Sequence, residues 1–310
     1  MRAVVVGDLV LDLIAMTPGQ LDRGTDTRGE IYPRPGGSPA NTATWLARLG
    51  QPVLFVGRVG ADPLGASLVA GLRTEGVDPR VAVDSGAPTG IILSLVEPGG
   101  ERSMLISPGA NRELAPSDLP LDALATASLI HLTGYSFFWE APRRTALAAL
   151  AMAREHGIRV SVDASSTALL AQYGPQRLLS ELAGVDCFVC NLAEGRLLTG
   201  RHEPAAVLDA LAGAFPTVGL KLGAAGSICA QGSLRVEQGA CATTALDSTG
   251  CGDSWDAGLL AGRLAGADLA GAARLAACTA AWVAARPGAV PPGWTRDDRE
   301  AVWAEVMTVT

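Results

Sequence analysis

Short apolar runs alternate with stretches of helical spacing along the chain, and this alternation limits the fold more than any other feature. Residues 3–7 (AVVVG), 53–57 (VLFVG), 128–132 (SLIHL), 158–162 (IRVSV), 186–190 and 217–222 (TVGLKL) read as strands. Residues 39–49, 65–75, 143–156 and 203–212 read as helices, and the Ala- and Leu-rich stretch 251–285 has helical period. A strand-then-helix order predicts an α/β fold, with a mostly parallel central sheet covered by helices on both faces. A chain of 310 residues, 48% hydrophobic and 18% charged, can fill such a core. Two stretches break the alternation. Residues 13–37 are polar and turn-rich and end in PRPGG, while 89–107 carry IILSLVE, a turn at Pro98-Gly99-Gly100, and RSMLIS. Two β runs around a Gly-rich turn predict a hairpin. Both stretches are expected to form a small β-strand lid on a single domain spanning 1–310.

Several function classes are excluded early. Asp8 and Asp12 interrupt the apolar start, so it reads as a buried strand and a polar edge rather than a signal peptide. No apolar run reaches the roughly 18 to 20 residues that span a bilayer. No membrane partner and a cytoplasmic location are therefore expected. A net charge of −7 argues against nucleic acid, whose phosphates demand clustered positive charge. Of 24 Lys and Arg residues, Lys221 is the single lysine, a candidate for work that arginine cannot do. The six cysteines are scattered, so no disulfide framework is expected. Cys187 and Cys190 form a CxxC inside an apparent strand, where i and i+3 face opposite sides, so both read as core thiols.

Five segments carry candidate chemistry. The strongest is DSTGCGDSWDAG at 247–258. Gly250-Cys251-Gly252 precedes a long apolar helix. Glycines let successive N–H groups converge, and a helix N-terminus adds about half a positive charge, which together suit a phosphate. Asp253 would lie in the first turn, where a carboxylate can take the proton of an attacking hydroxyl. A plain helix cap uses the same residue types. Second, Gly36-Gly37-Ser38-Pro39-Ala40-Asn41 opens a helix, with Asn41 able to hydrogen-bond a hydroxyl, or forms only a turn. Third, Asp8 and Asp12 follow the first strand, where parallel sheets bind ligands, unless both are solvated loop acids. Fourth, Asn191-Leu192-Ala193-Glu194 follows another strand. Glu194 could hold Mg²⁺ directly or through water, or serve as a helix N-terminal acid. Fifth, Lys221 beside Gly223 and Gly226 could meet nucleotide, or be an ordinary surface lysine.

Rival chemistries lack their residues. A P-loop needs G-x-x-x-x-G-K-S/T, and Lys221 is followed by Leu222. A dinucleotide site wants G-x-G-x-x-G where GDLVLD stands. A serine hydrolase at GDS needs a histidine base. The histidines are 131, 156 and 202, in no triad or metal motif. His131, in an apolar strand, reads as a satisfied core residue.

The order of the motifs resembles the PfkB (ribokinase-like) carbohydrate kinase family over roughly residues 2–300. GGSPANTATWLARLG is similar to its N-terminal signature and DSTGCGDSWDAG to its C-terminal one, with SPGANREL, NLAE and KLGAAG between them in order. The resemblance implies a ribokinase-like fold with a strand lid, ATP and Mg²⁺ as cofactors, and a small sugar substrate, while the exposed strand edges of the lid point to a homodimer. It implies Asp253 as catalytic base and Gly250, Cys251 and Gly252 as the anion hole. Asn191, Glu194, Lys221, Gly223 and Gly226 would meet ATP and its Mg²⁺, and Asp12, Gly36, Gly37 and Asn41 the substrate. Asp247 and Thr249 lie where some members bind K⁺. Val10, Ser38 and Trp255 depart from the ribokinase pattern and turn the expectation away from ribose. A nucleoside kinase and a non-catalytic sugar-binding regulator are the alternatives. Tyr135, Phe137, Phe138 and Trp139 read either as the lining of a base pocket or as a lid-facing apolar turn.

Overall fold

The structure, a computed structural model, describes residues 2–22, 24–96 and 102–306. The chain begins with β1 (Ala3–Val6), β2 (Val10–Met16) and β3 (Glu30–Gly36), then α1 (Ser38–Arg48), β4 (Val53–Gly60), α2 (Pro63–Thr74), β5 (Asp78–Asp84), β6 (Gly90–Val96) and β7 (Arg102–Ser107). A short α3 (Leu121–Leu124) leads to β8 (Leu129–Thr133), α4 (Glu140–His156), β9 (Arg159–Asp163), α5 (Thr167–Tyr173), α6 (Pro175–Glu181), β10 (Cys187–Asn191), α7 (Leu192–Thr199), α8 (Pro204–Ala212) and β11 (Thr217–Lys221). The hairpin β12 (Ser227–Gln231) and β13 (Leu234–Gln238) follows, then α9 (Cys251–Leu264), α10 (Leu269–Ala284) and α11 (Arg296–Ala304).

Nine strands form the main sheet in the order β13-β12-β11-β10-β9-β8-β1-β4-β5. It is parallel from β11 to β5, and only the edge pairs β11–β12 and β12–β13 are antiparallel. Strands covered on both faces must be apolar on both, which is why they read as continuous runs. Val4, Ile130, Val160, Phe188 and Val218 join one core with α4 to α8. Val5, Phe55, Trp45 and Leu260 belong to the core on the other face, under α1, α2 and α9. From β1 the sheet grows toward β4 and β5 on one side and β8 on the other, so the crevice that ligands favour opens at this switch in direction.

The two stretches that break the alternation form a second sheet, in the order β3-β2-β6-β7. Its first strand begins at Val10, earlier than the expected boundary at 13. β6 and β7 pair antiparallel as a hairpin requires, and their Pro98-Gly99-Gly100 turn lies outside the described residues. Residues Val10, Asp12, Ile14 and Met16 of β2 face the crevice, and the intervening residues face away.

The 251–285 stretch is two helices. Gly266, at φ 88°, ends the first, and Asp268 caps the second by accepting from Gly271 N–H at 2.8 Å. α9 and α10 approach so closely that a Cβ on Gly258 would fall 2.9 Å from Ala276 N. Against the expectation of six free thiols, Cys241 is bridged to Cys278 of α10, with Cα atoms 5.3 Å apart. The loop 239–250 crosses α10 there, a proximity that spacing in sequence does not show. Cys187 and Cys190 are free thiols, as expected.

Candidate active site

Five strand ends deliver polar residues to one crevice. Asp8 follows β1, Tyr135 follows β8, Asp163 ends β9, Asn191 ends β10 and Lys221 ends β11. The start of α9 and the inner face of the smaller sheet close a cleft of ≈ 1550 Å³. Asp253, Gly250, Cys251, Gly252, Asn191, Glu194, Lys221, Gly223, Gly226, Asp12, Gly37, Asn41, Asp247 and Thr249 all line it. Gly36 does not. It ends β3 behind the Asp12 carboxyl, which a Cβ at 36 would strike. Gly37, at φ 100°, brings α1 against the Asp8 backbone, where no side chain fits.

The Asp253 carboxylate is gripped from α1. Ser38 Oγ donates to Oδ1 at 2.7 Å and Asn41 Nδ2 donates to Oδ2 at 2.8 Å. Each oxygen keeps a second lone-pair site for an incoming hydroxyl. Burial pushes the Asp253 carboxyl up; the Asn41 and Ser38 hydrogen bonds and the Lys221 charge oppose this, while Asp163 adds to it. Gly250 caps α9 at φ 74°. At the helix start, the Cys251 N–H is bonded to Ser248 O (3.2 Å) and the Ser254 N–H to Gly250 O (2.9 Å). The N–H groups of Gly250, Gly252 and Asp253 are left for a ligand, at the positive end of the helix dipole.

Opposite Asp253 stand Asp8 and Asp12. Burial, partly offset by a hydrogen bond from its own backbone N–H, raises the Asp8 carboxyl to about 6. Burial raises Asp12 to about 7, with the Asp253 charge adding to both. Asp12 Oδ1 is buried without a hydrogen-bond partner, an acceptor aimed where a hydroxyl-bearing ligand would supply one. Because its folded pKa lies above the ordinary 3.8, the stability tied to its proton is fully present below that value and is lost as pH rises through about 7. Asp12→Asn, which never ionises, is therefore expected to raise the melting temperature of the ligand-free protein more at pH 8 than at pH 5. Thermal denaturation at both pH values reads this, and an equal change at the two would refute it.

Asn191 and Glu194 form a capping box for α7. Asn191 Oδ1 accepts from Glu194 N–H at 2.9 Å and Glu194 Oε2 accepts from Asn191 N–H at 2.8 Å. The Glu194 carboxyl is buried, and burial together with Asp163 lifts it to about 7. Asp247 Oδ1 accepts from the N–H and hydroxyl of Thr249 at 2.9 and 2.7 Å, and Oδ2 from Gly288 N–H at 2.8 Å. The pair thus ties the loop before α9 to the segment after α10.

Some residues escaped the sequence reading. Asp163 and Asp256 meet Lys221 at 2.7 and 3.0 Å. Asp163 ends a parallel strand, the same signal that singled out Asp8 and Asp12. Asn111 of SPGANREL is buried and accepts from Leu9 N–H at 3.0 Å, while its amide donates to Leu9 O and Pro108 O. It ties the end of β7 to the start of β2. Trp255 lies over Gly219 of β11, where a Cβ would be 2.7 Å from its ring. The bulky residue near Asp253 is thus matched by a glycine beneath it. His131 corrects an expectation. It is fully buried, yet neither ring nitrogen has a partner, and burial holds its pKa down to about 4. Of the aromatic turn, Tyr135 and Trp139 line the cleft, Phe137 is buried, and Phe138 packs on Tyr135 and Tyr173.

This α/β fold places an acid at a helix start beside the free N–H groups of Gly250 and Gly252, an arrangement suited to phosphoryl transfer. The model of the pfkB family carbohydrate kinases matches residues 1–296, and the chain belongs to that family. It is a sugar kinase. A fructokinase from Escherichia coli is 34% identical over 269 residues, 83% of each chain, and one from Klebsiella pneumoniae is 33% identical over the same share. Among solved structures, an adenosine kinase from Sinorhizobium meliloti superposes with a TM-score of 0.88 at 26% identity, over 97% of this chain and 99% of that one. A putative ribokinase II from E. coli in complex with ATP and Mg²⁺ superposes with a TM-score of 0.86 at 22% identity, over 99% of each chain.

Proposed function

We propose that the chain transfers the γ-phosphoryl group of ATP to a primary hydroxyl of a small sugar or sugar acid bound between the two sheets. The observation that carries this is Asp253, held by Ser38 and Asn41 from the sugar side of the cleft, with its own N–H and those of Gly250 and Gly252 left for a ligand. Asp12 and Asn41 bind sugar hydroxyls, with Gly37 giving them close approach. Asp253 takes the proton of the attacking oxygen, and the Gly250–Gly252 turn offsets charge on the transferring group. The nucleotide lies along Asn191, Glu194, Lys221, Gly223 and Gly226. Among the described residues, no cluster of three or more His, Cys, Asp or Glu is arranged to hold a metal. Glu194, buried at the cleft wall, fits a Mg²⁺ held mainly by waters and phosphate oxygens. Bound there, Mg²⁺ would neutralise phosphate charge.

The four-stranded sheet serves as a lid that excludes water from the transfer, one part of a single domain. Its outer face, with Ile31 and Leu105 exposed at 63% and 70%, supports a homodimer through this sheet. Light scattering reads that directly, and the mass of one chain would overturn it. Dependence on ATP fits a cytoplasmic enzyme.

A second reading, a nucleoside kinase, is favoured by Ile14, Met16, Ile92, Met104, Ile106 and Trp139, which give the cleft an apolar wall suited to a flat base. The deciding experiment measures Mg²⁺-dependent ATP consumption, in K⁺ and in Na⁺, on ketoses, aldoses, sugar acids and nucleosides. The likeness to fructokinases leads us to expect the highest kcat/KM on a ketose. Turnover confined to nucleosides would establish the second reading. ATP binding without turnover on any acceptor would favour a regulator. A rate that requires K⁺ would support a cation at Asp247 and Thr249.

A further inference from the structure

The chain's single lysine is not free to serve as a flexible phosphate anchor. Lys221 Nζ donates to Asp163 Oδ2 at 2.7 Å and to Asp256 Oδ1 at 3.0 Å, and the three side chains are 16%, 8% and 1% exposed. Lys221 ends β11, Asp163 ends β9, and Asp256 lies on α9 one turn beyond Asp253. The Trp255 ring stands 6.0 Å from the ammonium and closes the group from the helix side. Two of the three ammonium donors are occupied. The ammonium lies 3.5 Å from where a Cβ on Gly252 would sit, directly beside the turn that leaves the Gly250 and Gly252 N–H groups free. Three secondary-structure elements thus converge on one compact cation at the transfer site.

We propose that Asp163 and Asp256 are positioning residues that clamp Lys221 beneath the 250–252 turn, so that its charge acts on the transferring phosphoryl group and fixes the first turn of α9 that carries Asp253. This rests on the assignment of 250–253 as the transfer site. The geometry accounts for a lysine surviving among 23 arginines (24 basic residues less one). An ammonium is small and its diverging donors can meet two carboxylates on different elements, whereas a guanidinium is a wide planar fork. It also accounts for two buried carboxylates so close together. Burial raises the Asp256 carboxyl well above its ordinary value against the pull of Lys221, while at Asp163 the upward push of burial is outweighed by Lys221, which lowers it. The cation is the member of the group that lies beside Gly252.

The test is steady-state kinetics of Lys221→Arg, Asp163→Asn and Asp256→Asn beside the wild type and Asp253→Asn, on whichever acceptor the substrate panel identifies. A misplacement of about 1 Å in such a site costs on the order of 100-fold, so each variant is expected to lose that much kcat while the KM for ATP moves less than about threefold. If Lys221→Arg raises only the KM for ATP and leaves kcat unchanged, Lys221 serves nucleotide binding alone and the proposal falls. If Asp163→Asn and Asp256→Asn both keep wild-type kcat, the clamp has no part in transfer. A single variant that leaves a buried charge unpaired could fail to fold. The double variant Lys221→Met with Asp163→Asn removes cation and anion together and is expected to fold by circular dichroism and remain slow. Wild-type turnover in that variant would overturn the proposal. Absence of turnover in the wild type would instead indict the kinase reading, so the two failures are distinguishable.

Discussion

Asp253→Asn is expected to lower kcat by about three orders of magnitude, within the range of roughly 10² to 10⁴ that a general base supplies. The substitution should leave the fold intact, because the amide can occupy the same cradle. With its oxygen toward Asn41 Nδ2 and its NH₂ toward Ser38, whose hydroxyl rotates to accept, both hydrogen bonds are preserved. What disappears is the acceptor for the sugar proton. Affinity for ATP should change little, because the free N–H groups of Gly250 and Gly252 remain. The pH profile supplies a second check. Burial holds the Asp253 carboxyl above its ordinary range. A base must be ionised to act, so kcat of the wild type should fall on acidification from a pH above that of an exposed aspartate. Near-normal turnover in Asp253→Asn would remove the base from the mechanism.

The parts that could be read from sequence share a physical reason. A parallel strand buried on both faces must be apolar throughout, so β1, β4, β8, β9, β10 and β11 are visible as runs. The hairpin of β12 and β13 escaped because an edge pair keeps polar residues such as Gln231, Arg235 and Glu237 among few apolar ones. The site residues that were legible sit in local patterns: glycines before a helix, acids after a strand. Asp256 was not legible and Asp163 offered only its place at a strand end, because the importance of both lies in a partner 35 and 58 residues away. The lone lysine was conspicuous, but its burial between two carboxylates is a property of three elements meeting. His131 shows the same limit from the other side. Its strand neighbours predict burial, which is correct, and say nothing of whether its nitrogens find partners. The Cys241–Cys278 bridge likewise depends on where a loop crosses α10.

The second large effect is expected at Gly250, and here backbone geometry rather than side-chain chemistry decides. Gly250 holds φ 74°, a conformation that places it at the cap of α9 and turns the following N–H groups toward the cleft. A Cβ at this position would fall 2.6 Å from Ala289 Cβ and 2.8 Å from Ala289 O. Gly250→Val therefore meets strain and overlap together, and the turn must move. Loss of one well-placed donor in such a hole costs roughly 10² to 10³ in kcat, and that fall is expected here. The left-handed conformation alone costs a β-branched residue about 1 to 3 kcal/mol, so stability will drop as well. Gly232→Ala separates the two contributions. Gly232 holds a similar φ of 56° in the turn between β12 and β13, but a Cβ there meets nothing within 4 Å. It should lose some stability and keep its kcat. If Gly250→Val retains kcat within about threefold of wild type, a margin well inside the loss expected for one such donor, the turn does not hold the transferring group. The positive end of α9 would then serve only to cap the helix.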